Sequence, residues 1–261
     1  MDQNIIHRED IVRGLQDLGV CQGMALEVHS ALSSLGWVEG GAAAVIEALI
    51  EAIGPEGTLI MSAYPVSPAL PVTQAETARG ITWKVRILED PNERTGLGLI
   101  VDTFRQRPDV ILGQGLHRVC AWGCDAVQHA QGQYRHLVEI DGWTLLIGVG
   151  VDRISSLHLA EENPGLPADL RRIFEPPADL LRDYPPDRWD IGYSSGKPEE
   201  VCEDAWGKVW QEADRRGLIR KDQIGQSACA LFKTRALLQI YQDALRKDPF
   251  GLFGLARKEP R

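Results

Sequence analysis

His158 and Glu161 stand three residues apart in the stretch SSLHLAEE (155–162). On a helix, residues at that spacing share a face, with Cβ atoms roughly 5–6 Å apart. A carboxylate so placed can accept a hydrogen bond from one imidazole nitrogen, fix the tautomer and leave the other nitrogen as a base. Acyl transfer to an amine needs such a base, because an ammonium has no lone pair to attack with. A positioned base contributes about 10²–10⁴-fold in rate. A zinc site of the H-E-x-x-H type needs a second His four residues after the first, and Glu162 stands there. The same spacing also occurs in ordinary surface ion pairs, so the motif alone leaves both readings open.

A second region, VHSALSSLGWVEGG (28–41), places His29 at the end of a short apolar run. A serine-rich turn, glycines and a helix start follow it. Backbone N–H groups at a helix start favour anions and carbonyl oxygens. An ordinary strand-to-helix connection has the same look.

Other motifs carry less. GYSSG (192–196) matches a nucleophile elbow, but the residues before it, PPDRWD, do not read as a strand. The elbow also needs a His after its Ser, and the last His in the chain is His158. Ser194 therefore reads as a turn residue. GVGVDR (148–153) has Arg153 where a dinucleotide fingerprint needs its third glycine. His129 and His136, seven apart, match no helical face and do not read as metal ligands. Cys120 and Cys124 flank Ala-Trp-Gly with no His at ligand spacing, and five cysteines without a CxxC pair suit a reducing cytoplasm.

The elements that must position these residues follow from periodicity. REDIVRGLQDL (8–18) sets Ile11, Val12, Leu15 and Leu18 on one helical face. A strand over about Ala25–His29, a helix over 42–53 stopped by Gly54 and Pro55, and a strand over 58–64 predict a βαβ unit with a parallel pair. From Pro65 to about Thr95 periodicity is poor. That stretch reads as a functional loop or as short pieces too small to show a period. A helix at 98–107, a strand at Val119–Trp122, a buried strand at 143–150 and a helix beginning with SSLHLAEE come next. Proline-rich 164–198 reads as an extended connection. A helix at 199–216, a strand at 226–232 and a helix at 234–246 complete an α/β chain with one mixed sheet flanked by helices, read as a single domain over 1–261.

VHSALSSLGWVEGGAAAVIEALIEAIGPEGTLIMSAY resembles the N-terminal signature of the aminoglycoside 3-N-acetyltransferases, the antibiotic N-acetyltransferase family. LLIGVGVDRISSLHLAEE resembles that family's second signature, a strand leading to an H-x-x-E helix. GLGLIVDTFRQRPDV resembles its intervening helix and GQSACALF its C-terminal strand, so the likeness spans roughly residues 10–245. The resemblance implies that His158 is the general base, Glu161 its orienting acid, and His29 a neighbour of the reacting thioester. It implies that Ser30, Ala31, Leu32, Leu35, Gly36, Val38, Gly40 and Gly41 cradle acetyl-CoA as co-substrate, with no metal. Direct transfer would follow, with backbone donors of the 29–32 turn holding the oxyanion. For the acceptor, Tyr64, Asp102 and Asp152 are candidates by their positions at element ends.

The family's usual R-S-x-H-P-x-x-S stretch is replaced here by Ile111, Leu112, Gly113, Gln114, Gly115, Leu116, His117 and Arg118. The segment after it is also short and lacks the family's G-x-G-S-P turn. The Asn-Thr that commonly precedes the H-x-x-E helix reads Ile154-Ser155. These changes surround the acceptor side. The sequence therefore keeps three readings: transfer to an aminoglycoside, transfer to another amine, or a binding protein on the same scaffold.

The net charge of −9 repels a phosphate backbone and favours a cationic small molecule. MDQNIIHRED has neither the basic nor the apolar region of a signal peptide, and no run of 18 apolar residues suggests a membrane span. The expectation is a cytoplasmic protein with a small amine substrate, no nucleic-acid or membrane partner, and room for a homodimer.

Overall fold

The chain opens, in a computed structural model that describes residues 5–195 and 201–255, with the short strand β1 (Ile5–Ile6) and the helix α1 (Arg8–Leu18). Ile11, Val12, Leu15 and Leu18 are buried on one face, as their spacing predicts. Gly19 ends the helix at φ 105°, a left-handed cap that a side chain would strain. Next come β2 (Ala25–Ser30), β3 (Trp37–Val38), α2 (Gly41–Ile53) and β4 (Thr58–Ser62). β2 and β4 pair in parallel with Leu26 opposite Leu59, so the predicted βαβ unit is present.

Pro65–Thr95 is built of short pieces, α3 (Gln74–Ala78) and β5 (Ile81–Arg86). The helix α4 (Leu99–Phe104) and the strands β6 (Ile111–Leu112) and β7 (Val119–Gly123) follow. Two helices that periodicity did not suggest, α5 (Ala126–Gly132) and α6 (Tyr134–Glu139), precede β8 (Trp143–Ile147). SSLHLAEE is no regular helix. It runs as a 3₁₀ turn (Ser155–Leu157), a single α turn, α7 (His158–Ala160), and a π turn (Glu161–Gly165). Pro164 lacks the N–H that a regular continuation would return to Ala160.

The stretch read as an extended connection, 164–198, instead folds as α8 (Ala168–Phe174), α9 (Ala178–Asp183) and β9 (Trp189–Tyr193). Its prolines start helices here: Pro167 and Pro177 cap α8 and α9, where a missing N–H has no partner to lose. Pro198 and the start of the helix expected from 199 lie outside the described residues. The chain closes with α10 (Val201–Arg215), β10 (Ile219–Ile224), β11 (Ser227–Lys233), α11 (Thr234–Lys247) and α12 (Pro249–Leu252).

Seven strands form one mixed sheet in the order β10-β11-β8-β2-β4-β7-β6. The centre, β8-β2-β4, is parallel and both flanks are antiparallel. Successive side chains alternate between faces. Leu26, Val28, Leu145 and Ile147 therefore pack with α1, α2 and α4, while Leu146, Ala230 and Phe232 pack with α10 and α11. Glu27 and His29 point to that second face, since His29 lies opposite Leu146.

Outside the main sheet, β5 and β9 form an antiparallel ribbon with Val85 opposite Asp190. GYSSG ends this ribbon. Gly192 is there because Trp83 crosses it: a Cβ would lie 2.1 Å from Trp83 Nε1. A strand does precede Ser194, contrary to the reading of PPDRWD, but Ser194 is buried and its N–H donates to Gly80 O. Gly196 lies outside the described residues. Among the described residues no helix is long and apolar enough to cross a membrane.

Candidate active site

The carboxyl ends of β2, β4 and β8 converge, and open α/β sheets characteristically bind ligands at such ends. Glu27 and His29 are two apart on β2 and so share a face. Glu27 is fully buried and accepts three hydrogen bonds, from His29 Nε2 (2.8 Å), Thr144 Oγ1 (2.8 Å) and Ser156 Oγ (2.7 Å). A buried carboxylate without such donors would be very costly. Donation from Nε2 leaves Nδ1 as the nitrogen of His29 not committed to Glu27. Glu27 went unnoticed in the sequence, although an acid inside a buried strand and two residues before a His is a usable signal.

Ser156 belongs to the 3₁₀ turn that delivers His158. His158 Nδ1 and Glu161 Oε2 are 2.8 Å apart, so the predicted pair is formed. The other carboxylate oxygen, Oε1, accepts from Tyr241 OH on α11 at 2.8 Å. The His158 ring meets Trp206 of α10 edge-on, with centroids 4.9 Å apart, while 61 % of its side chain stays exposed. Desolvation of the ring works against its cation. The hydrogen bond to Glu161 and the charges of Glu161, Glu162 and Asp190 outweigh that effect and raise the pKa.

Beside this pair, Ser62 at the end of β4 bonds Tyr134 OH (2.6 Å) and Ser155 Oγ (3.1 Å). Tyr64 joins the same network; burial raises its pKa although hydrogen bonds with Ser155, Tyr134 and Ser62 oppose the shift. Its ring meets His117 edge-on at 5.3 Å. His117, from the stretch that departs from the family pattern, thus stands on the rim of the site. Asp190 on β9 also feels His117 and His158, which partly offset the rise in its pKa caused by burial. Nothing in the local sequence marks Asp190, because its place depends on the ribbon.

Two sequence candidates are engaged elsewhere. Asp102 is buried and accepts from Thr95 N (3.0 Å), Thr95 Oγ1 (2.8 Å) and Arg105 Nε (3.0 Å), so its carboxylate anchors the loop before α4. Asp152 lies in a 3₁₀ turn (Val151–Arg153), half-exposed and paired with Arg153 at 3.0 Å. His129 and His136, which share no helical face, are nonetheless brought together by the α5–α6 corner, with ring centroids 4.7 Å apart. The described residues hold no group of three or more His, Cys, Asp or Glu side chains arranged for a metal ion.

The 30–41 segment lies across the end of β2. Ala31 N–H is taken up by Ile147 O at 3.0 Å, which removes it from the expected oxyanion donors. Leu32 and Ser33 open the short 3₁₀ turn Leu32–Ser34. Ser34 Oγ bonds Ala31 O (2.6 Å) and Ser227 Oγ (2.9 Å), and Leu35 O accepts from Gln226 N. Gly148 permits this contact: a Cβ there would lie 1.9 Å from Ser34 Oγ. Gly36, Gly40 and Gly41 have φ of 98°, 77° and 58°, and Val38 is buried in the β1–β3 pair. Among the described residues nothing stands within 4 Å of a Cβ built on Gly41, so the start of α2 is open, and the buried Ser30 Oγ finds no partner among them. An unpaired buried hydroxyl at one end of the segment and a helix start at the other suit a polar ligand with phosphate and carbonyl oxygens, as coenzyme A has.

The family model described as aminoglycoside 3-N-acetyltransferase matches residues 28–246. The chain belongs to that family. The match opens one residue before His29 and takes in His158, Glu161 and nearly all of α11. An SPbeta prophage-derived aminoglycoside N(3')-acetyltransferase-like protein, YokD of Bacillus subtilis (strain 168), is 31% identical over 246 residues, 86% of this chain and 87% of the relative. Aminoglycoside N(3)-acetyltransferase IV of Salmonella sp is 28% identical, covering 93% of this chain and 88% of that enzyme. Among solved structures, a histidine-to-alanine mutant of aminoglycoside acetyltransferase AAC(3)-IVa in complex with a gentamicin superposes with a TM-score of 0.72 at 24% identity, covering 97% of this chain and 93% of the other. AAC-IIIb in its binary complex with CoASH gives 0.68 at 20% identity, covering 98% and 100%. The fold is therefore that of the family, and this chain is an acyltransferase of that kind.

Proposed function

We propose that this protein transfers an acetyl group from acetyl-CoA to the 3-amino group of a 2-deoxystreptamine aminoglycoside, with His158 as general base. The observation that carries the reading is the His158–Glu161 pair at 2.8 Å, exposed on one side and held by carboxylates that raise its basicity. Glu161 takes Nδ1–H, so Nε2 is the nitrogen that accepts a proton from the acceptor ammonium. The freed amine attacks the thioester carbonyl directly; the C–N bond forms as the C–S bond breaks, the second amine proton goes to the departing thiolate, and no covalent enzyme intermediate is needed. The oxyanion is received by the N–H groups that open the Leu32–Ser34 turn, and His29 stands beside the departing thiolate. Asp190 supplies negative charge beside the base for an acceptor that arrives as a cation, in keeping with the net charge of −9. Acetyl-CoA lies along 30–41, with its phosphates toward the start of α2; the CoASH bound to AAC-IIIb and the gentamicin bound to AAC(3)-IVa support this pair of substrates. A cytoplasmic location fits the free thiols of Cys21, Cys120, Cys124 and Cys229.

The test is release of free thiol from acetyl-CoA in the presence of a panel of 2-deoxystreptamine antibiotics, with His158→Ala as control. Release that requires both drug and His158 is expected. Release with simple polyamines but not with the antibiotics would move the assignment to a second reading, transfer to another amine. That reading is favoured by His117 on the rim, where this chain departs from the family pattern.

A further inference from the structure

Tyr241 lies in the middle of α11, is fully buried, and stands 80 residues beyond Glu161 in the chain. Its hydroxyl donates to Glu161 Oε1 at 2.8 Å, while Oε2 of the same carboxylate meets His158 Nδ1 at 2.8 Å. The three side chains form a line from the core to the exposed imidazole.

Local backbone fixes Glu161 through one short turn. α7 is three residues long, Glu161 N–H bonds His158 O, and the chain passes at Glu161 into a π turn. A longer regular helix would fix the i, i+3 geometry through an unbroken ladder, whereas here the ladder changes register at Glu161 itself. A carboxylate has two oxygens and rotates readily, and 24 % of the Glu161 side chain reaches water. A fixed donor on one oxygen restricts that rotation and leaves the other oxygen aimed at His158. The donor must also be one whose own position is set by packing, and Tyr241 sits in the core formed by α10, α11 and the sheet. A phenol in such a core is favourable only when its hydroxyl finds a partner. With Oε1 taken by the phenol, Oε2 is the oxygen left to face His158 Nδ1.

We propose that Tyr241 is a positioning residue for His158, acting through Glu161. The proposal rests on His158 being the base, but its test does not need a substrate. The side-chain ¹⁵N resonances of His158, assigned by comparison with His158→Ala, report both its pKa and its tautomer. Tyr241→Phe removes one hydroxyl and keeps the ring. It is expected to lower the His158 pKa by about half a unit or more and to mix the tautomers, in the direction set by loss of the Glu161 interaction. Where an acceptor is acetylated, kcat should fall about 3–30-fold, the acid limb of its pH profile should move to lower pH, and the KM for acetyl-CoA should be unchanged.

Glu161→Gln supplies the control. Adding Tyr241→Phe to Glu161→Gln should change the titration no further, because the path from Tyr241 to His158 has already been cut. An unchanged His158 titration in Tyr241→Phe would overturn the proposal, as would an equal and independent shift on the Glu161→Gln background. Should the aminoglycosides prove not to be substrates, the titration still decides the role of Tyr241.

Discussion

Ser156 Oγ donates a 2.7 Å hydrogen bond to Glu27 Oε2, joining the turn that delivers His158 to the strand that delivers His29. The two histidine–carboxylate pairs are therefore mechanically one object, although 129 residues separate Ser156 from Glu27. Ser156→Ala leaves the buried carboxylate with one donor fewer. The expected loss is about 1–3 kcal/mol, or several degrees in Tm for a chain of this length. Thermal unfolding followed by circular dichroism measures it, and a Tm within a degree of the parent would show the network to be slack.

The pH dependence of acetyl transfer has a definite sign. The base must be neutral to act, and Glu161 and its neighbours raise the pKa of His158. Activity should therefore climb as pH rises through that raised value. Glu161→Gln removes the nearest charge, lowers the pKa, and moves the acid limb of kcat/KM toward lower pH, while kcat on the plateau falls because the ring is less well held. An acid limb that moves upward in this variant would contradict the arrangement.

Acid should weaken the fold through His129. Burial, aided by the adjoining His136 ring, pushes its pKa down to about 4, against opposing effects of Asp125 and of the backbone at Gln133. The unfolded chain takes up this proton near pH 6.5 and the folded chain only near pH 4. The stability contribution is thus complete above about pH 6.5 and is lost as pH falls toward 4, by at most about 3 kcal/mol. His136 and its partner Glu139, 3.7 Å away, face the same corner. His129→Phe should flatten the pH dependence of the urea midpoint between pH 7.5 and 4.5, which paired denaturation curves would show.

Asp190 should govern the acceptor and not the donor. Since Asp190 lies within electrostatic reach of His158 and His117, Asp190→Asn is expected to remove a charge that a polycationic substrate would meet. A roughly 10-fold rise in KM for the antibiotic is expected, with KM for acetyl-CoA unchanged. Steady-state kinetics varying each substrate in turn separates the two, and an equal change in both constants would place Asp190 outside acceptor binding.

Much of this arrangement is legible in the chain. The helix–strand alternation around His29 shows because β2, α2 and β4 are local, buried and bounded by glycine, and the H-x-x-E spacing survives even though its helix is broken into three kinds of turn. What stays hidden depends on distant partners. Tyr241 looks like one more apolar-face residue of α11 until its hydroxyl is seen against Glu161. Asp190 acquires meaning only when β9 pairs with β5, some hundred residues earlier. Asp102 shows the converse: its place at a helix start suggested a substrate contact, yet Thr95 and Arg105 occupy it.

The β5–β9 ribbon shares no strand with the seven-stranded sheet. It carries staples of its own, among them the Lys84 and Tyr184 bonds to Glu76, which with the Thr73 N–H hold that carboxylate's pKa down at about 2. On the function proposed, the charge that Asp190 offers an acceptor is thus mounted on a part that can be rebuilt while His158, Glu161 and the 30–41 segment stay where they are. Such a division allows one catalytic engine to change clients by retailoring a single ribbon.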